Sequence, residues 1–170
     1  MSAEPKTRDS LSQGAGGELP FIDVHSLAVD AAPERAWDAV TQVMRGWAGG
    51  TLPRRSARAG ALLARLLACS DTQPPRAGPG LPETMVGFHV AQAERPSLIA
   101  LEGQHRFSRY ALTFHIEPTD GSRCVVKAET RAAFPGLAGR IYRGAIIGTA
   151  AHVIVVRRLL SRVKQRAERD

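Results

Sequence analysis

Aromatic residues are scarce in this chain: Phe, Trp and Tyr make up 5% of 170 residues, which leaves little with which to stack nucleic-acid bases. Lysine is scarce too, being confined to Lys6, Lys127 and Lys164. The net charge of +7 and the isoelectric point near 10.4 therefore rest on arginines scattered along the chain. Scattered charge makes a poor groove, so no nucleic-acid partner is expected. Cys69 and Cys124 are the only cysteines, and neither lies in a CxxC or beside a ligand-spaced histidine. That spacing argues against a disulfide framework and a zinc site, and it fits a reducing cytoplasm. Long apolar runs are also missing. The longest, Gly144 to Val156, covers 13 residues flanked by Arg140, Arg143, Arg157 and Arg158, whereas a membrane span needs about 20. There is no G-x-S-x-G, no H-E-x-x-H and no phosphate loop, and "GAGG" at Gly14 to Gly17 follows no strand. No cofactor and no metal are implied.

What is present reads as an ordinary globular chain, 44% apolar and 23% charged, long enough to bury one core without disulfides. Residues 1–19 lack the apolar segment of a secretory signal and read as a disordered polar leader, so one domain is expected over 20–168. "FIDVHSLAVD" alternates as a strand, with His25, Leu27 and Val29 on one side. In "AAPERAWDAVTQVMRGW", Pro33 and Glu34 suit a first helical turn, and Ala36, Trp37, Val40, Val43, Met44 and Trp47 recur at helical spacing. Arg54 to Cys69 reads as a basic amphipathic helix, which either closes the core or meets a membrane surface. "SDTQPPRAGPGLPE" is a loop rich in Pro and Gly.

A meander of strands follows. Thr84, Val86, Phe88 and Val90 alternate as one strand, and "SLIALEG" as the next. "RYALTFHIEP" and "SRCVVKAETRAAF" are joined by the turn "TDG". Tyr110, Leu112, Phe114 and Ile116 share the core face with Cys124, Val126, Ala128, Thr130, Ala132 and Phe134, while Arg109 and His115 face water. Gly103 to Arg106 reads as the hairpin, which would leave His105 solvated; Arg106 turns inward only if its strand starts early. "GLAGRIYRGAIIGTAAHVIVVRRLLSRVKQRAERD" predicts a single helix of about thirty residues. Its inward stripe would hold Leu137, Ile141, Gly144, Gly148, His152, Val155, Leu159 and Val163.

The residues "HSLAVDAAPERAWDAV", "ALEGQHRFSRYALTFHIEP" and "AETRAAFPGLAGRIYR" resemble segments of the START-like, or SRPBCC, superfamily, which includes polyketide cyclase/dehydrase-like and lipid-transfer proteins. That resemblance implies an α+β helix-grip fold, in which a curved antiparallel sheet wraps a long C-terminal helix. It also implies binding of a small hydrophobic molecule, such as a lipid, polyketide or aromatic metabolite, between sheet and helix. The candidate ligand-binding residues on the inward surfaces are His25, Arg106, Tyr110, Leu112, Phe114, Thr130, Gly144, Gly148 and His152. Each has a bland alternative. A histidine on an apolar face is often a satisfied core residue, Cys124 reads as packing rather than as a nucleophile, and the small residues Gly144 and Gly148 would equally suit a homodimer. A cyclase or dehydratase would need His25, His152 and Tyr110 to converge as acid and base. A membrane or partner-binding module remains a third reading.

Overall fold

The computed structural model describes residues 19–48, 84–85, 87–120, 122–148 and 151–169. The expected leader, the basic helix from Arg54 to Cys69 and the loop that follows lie outside the described residues, apart from Leu19. Strand β1 (Phe21–Val29) leads into α1 (Pro33–Ala48), and the next described elements are β2 (Thr84–Met85), β3 (Phe88–Glu94), β4 (Leu98–His105), β5 (Ser108–Asp120) and β6 (Arg123–Ala133). Two helices, α2 (Gly136–Ile146) and α3 (Ala151–Ala167), end the chain. All six strands form one antiparallel sheet in the order β1-β6-β5-β4-β3-β2, so the first strand pairs with the last.

Alternation sorts the two faces of the sheet. Register places Val29 opposite Cys124, Leu27 opposite Val126, Phe114 opposite both Ala128 and Ile99, and Leu112 opposite Leu101, and these residues all look inward. Against them α1 lays Ala36, Trp37, Val40 and Met44, and α3 lays Val156, Leu159, Leu160 and Val163. Helical periodicity puts each set on one stripe, which is why both helices settle on the same face. The opposite face carries Lys127, Glu129 and Arg131, with Lys127 paired to Glu117 and Arg131 to Glu129. Capping follows the sequence: Pro33 opens α1, Glu34 lies in its first turn and Arg45 in its last.

Three expectations are corrected. The stretch from Thr84 to Val90 is two strands, because Gly87 adopts φ +84 and turns β2 back onto β3. The hairpin between β4 and β5 is the pair Arg106-Phe107, since β4 runs on through His105 and pairs it with Ser108. The long terminal helix is two helices: α2 closes at Ile146, and the N–H of Ile147 donates to the carbonyl of Arg143 at 2.7 Å. Glycine is a poor interior helix residue, and Gly144 with Gly148 brackets the end of α2. A Cβ on Gly148 would come within 2.4 Å of the Gly144 carbonyl oxygen, so the chain leaves α2 in a path that needs glycine there.

Candidate functional site

Two polar groupings stand on the inner face. The first grows out of β1. Its register shifts between Phe21 and Asp23, so that Phe21 sits opposite Arg131, whose guanidinium lies 5.9 Å from the ring, while Asp23 sits opposite Thr130. Such a bulge re-aims the neighbouring side chain. Asp23 and His25, two residues apart, therefore share the inner face with Thr130. At the start of α3, His152 reaches back across 129 positions of chain to the same carboxylate. Its Nε2 lies 2.7 Å from Asp23 Oδ2, and His25 Nε2 lies 3.2 Å from that same oxygen. The three side chains are 21%, 17% and 14% exposed for Asp23, His25 and His152, so the group is mostly enclosed yet open on one side.

A carboxylate only accepts, so each imidazole presents a protonated Nε2 to Asp23. In the neutral ring of His152 this leaves Nδ1 as a bare lone pair. That Nδ1, Asp23 Oδ1 and Thr130 Oγ1 are buried and have no hydrogen-bond partner among the described residues. Buried polar atoms are nearly always paired, so three unpaired ones at neighbouring positions set this group apart.

The second grouping surrounds the β4–β5 hairpin. His105 packs edge-on to Tyr142 of α2 at 4.8 Å between ring centroids and lies 5.7 Å from Tyr110, which itself meets Phe88 at 5.0 Å. The expected solvated His105 is thus half-buried among rings, because β4 continues far enough to aim it inward. Its Nδ1 accepts the N–H of Phe107 at 3.1 Å, so Nε2 carries the proton and donates to Ser108 Oγ at 3.0 Å. A ring that donates to Ser108 cannot take its proton, and this Ser-His pair is not a nucleophile and base. Burial pushes the His105 pKa below its ordinary 6.5.

The remaining sequence candidates divide. The Tyr110 hydroxyl donates to the carbonyl of Gly87 at 2.6 Å instead of meeting His25 and His152. Gly103, opposite Tyr110, makes room for that crossing: a Cβ there would lie 2.0 Å from the Gly87 oxygen and 2.5 Å from the ring. Leu112 and Phe114 are 5% and 0% exposed beneath α1 and α3, so they belong to the packed core. Arg106 lies exposed in the turn with its guanidinium 5.6 Å from the Phe107 ring, outside the grip. Gly144 and Gly148 are exposed as well: among the described residues nothing lies within 4 Å of a Cβ placed on Gly144, and the atoms nearest one on Gly148 belong to Gly144. Leu137 and Ile141, expected on the inward stripe, are each 76% exposed, because α2 instead turns Gly139 and Tyr142 toward the hairpin. Cys124 is buried, and burial raises its thiol pKa, which suits packing.

Asp23 is the residue that sequence reasoning missed. The same two-residue period that placed His25 inward extends one step back to Asp23, ahead of the bulge. Among the described residues no three His, Cys, Asp or Glu side chains are grouped to hold a metal ion. No described helix is long and apolar enough to cross a membrane. Away from the inner face, a groove of about 420 Å³ between α1 and α3 is lined by Gln42, Val43, Gly46, Arg162, Gln165, Arg166 and Arg169, a cationic surface unsuited to an apolar guest.

No protein-family model matches the chain, and no curated protein is similar to it. Among solved structures it is similar to truncated norcoclaurine synthase from Thalictrum flavum, at 14% identity and a TM-score of 0.53 over 90% of this chain and 98% of that one. A point mutant of the same enzyme in complex with a transition state analogue gives 17% identity and a TM-score of 0.50, over 85% of this chain and 92% of that one. The di-domain ARO/CYC protein StfQ from the steffimycin biosynthetic pathway gives 14% identity and a TM-score of 0.51, over 86% of this chain and 50% of that one. The protein has the START-like, helix-grip fold. At these identities the likeness is one of fold.

Proposed function

We propose that the protein binds a small, largely apolar molecule, a lipid, polyketide or aromatic metabolite, against the inner face of the sheet where α3 begins. The observation that carries this reading is the group Asp23, His25, Thr130 and His152, with three unpaired buried polar atoms set in an otherwise apolar surface. Ligand sites combine apolar walls with a few placed polar atoms in this way. The shared fold with norcoclaurine synthase and with an ARO/CYC protein supports the reading at the level of architecture. The binding unit is the single domain expected over 20–168. Native mass spectrometry of protein purified from cells, followed by solvent extraction, tests it. A co-purifying apolar compound that His152→Leu no longer retains is the expected result. A clean apo mass for the unmodified protein, with no uptake from a lipid or polyketide extract, overturns it.

One observation favours a second reading, an enzyme of the cyclase or dehydratase type. Acid-base chemistry on a ketide needs titratable groups in mutual hydrogen-bond reach, and His25, Asp23 and His152 stand at 3.2 and 2.7 Å. A carboxylate behind an imidazole orients it and steadies the imidazolium that forms during proton transfer. Incubating the extracted compound with excess protein distinguishes the two: recovery unchanged supports binding alone, and a product differing by water or by ring closure supports catalysis.

A further inference from the structure

The unpaired atoms of the inner-face group define the chemistry of the ligand's polar end. This inference rests on the proposed apolar-ligand site and narrows what that site accepts. Asp23 already receives both histidine Nε2 protons on Oδ2, so its Oδ1 is an acceptor with nothing to accept. The His152 Nε2 proton is committed to Asp23, so in the neutral ring Nδ1 is a lone pair with nothing to accept. Thr130 Oγ1, opposite Asp23 in register, is free to donate or accept. The census is two obligatory acceptors and one hydroxyl. Among the described residues no arginine or lysine joins them: Arg106 is in the exposed turn, and Lys164, three turns along α3, donates to the carbonyl of Ala28.

We infer that the site selects a ligand whose polar end is a hydrogen-bond donor, a hydroxyl or phenol on an apolar body, and rejects a carboxylate. A hydroxyl that reaches Asp23 Oδ1 donates to it and can accept from Thr130, its partner in register, while one that reaches His152 Nδ1 donates there instead. A carboxylate brings only acceptors and a second negative charge beside Asp23, with no cation to meet it. The apolar body has a wall to lie on: at the next pair on the same face from Leu112 and Thr130 stand Tyr110 and the small Ala132, and beyond them the rings of His105 and Tyr142. A ligand with an ether or ketone in place of the hydroxyl would satisfy Thr130 alone and leave Asp23 and His152 as they are.

Fluorescence titration near neutral pH with three probes of one shape tests this: 2-naphthol, 2-methoxynaphthalene and 2-naphthoate. The expected order is 2-naphthol tighter than 2-methoxynaphthalene by about ten- to a hundredfold, the worth of a hydrogen bond to a charged group, with 2-naphthoate weakest. In Asp23→Asn, and independently in His152→Leu should the first variant fold poorly, the preference for 2-naphthol shrinks to near unity while 2-methoxynaphthalene binds as before. Equal affinities for the three probes, or 2-naphthoate tightest, overturn the inference and leave the apolar site standing. If none of the three binds to folded protein, the apolar site itself fails and the inference falls with it.

Discussion

Asp23 holds two histidines through a single oxygen, and this sets what its removal does. Asp23→Ala leaves the Nε2 protons of His25 and His152 without their acceptor, and the expected loss of stability is about 1–3 kcal/mol, measured by urea unfolding. Thr130→Val removes a hydroxyl that has no partner among the described residues, so its stability changes little or rises. His105 adds a pH dependence of known sign. Burial holds its folded pKa below 6.5, so the unfolded chain takes up the proton first as pH falls. Its contribution is complete above 6.5 and is lost as pH drops through the lowered folded value. Urea midpoints measured across that window should therefore fall more steeply in the parent protein than in His105→Gln. Equal slopes would mean that the ring is as solvated as the sequence alone suggested.

At the scale of elements, glycine has opposite meanings in strand and helix. Gly103→Ala drives a methyl into the Gly87 carbonyl and the Tyr110 ring, with an expected cost of about 1–3 kcal/mol. Gly144→Ala meets nothing within 4 Å inside α2 and should stabilise by about 0.5–1 kcal/mol. Denaturant melts of the two variants check both signs together. The sequence pattern distinguished these elements unevenly. Strands β5 and β6 alternate so cleanly that their faces could be read residue by residue, and α1 announced itself through Pro33, Glu34 and its apolar stripe. The break between α2 and α3 was not legible, because apolar residues run through it without interruption and only Gly144 and Gly148 mark it. The turn at Arg106-Phe107 was misplaced by two residues for a related reason: Gly103 looked like turn chemistry, whereas its small size serves the passage of Tyr110.

Across the whole molecule, one core cluster joins α1, α3 and the inner face of the sheet. Tryptophan fluorescence, which senses Trp37 and Trp47, both in α1, and far-UV dichroism should therefore report coincident unfolding transitions. A separate early transition in fluorescence would mean that α1 comes away by itself. The fold was legible at this scale because order and spacing of elements survive local errors. Of the residues expected to line the site by face and period, His25, Thr130 and His152 stand on one inner-face patch, while Tyr110, assigned to them, bonds to Gly87 instead. Asp23 was not singled out although the two-residue period of β1 reaches it, and the register with Thr130 and the reach of His152 show it turned inward.

The pairing of the first strand with the last has a consequence for biosynthesis. Strand β1 precedes all the other strands of the described sheet in chain order, yet among them its neighbour is the last, β6. Its end is tied to the far terminus, since the N–H of Asp30 donates to Glu168 Oε1 across 138 positions of chain. The nascent chain thus carries β1 unpaired until β6 has followed it, and contacts of such high sequence separation slow the search for the native state. Asp23 waits the same way for His152, so the site comes into being only as the last helix emerges.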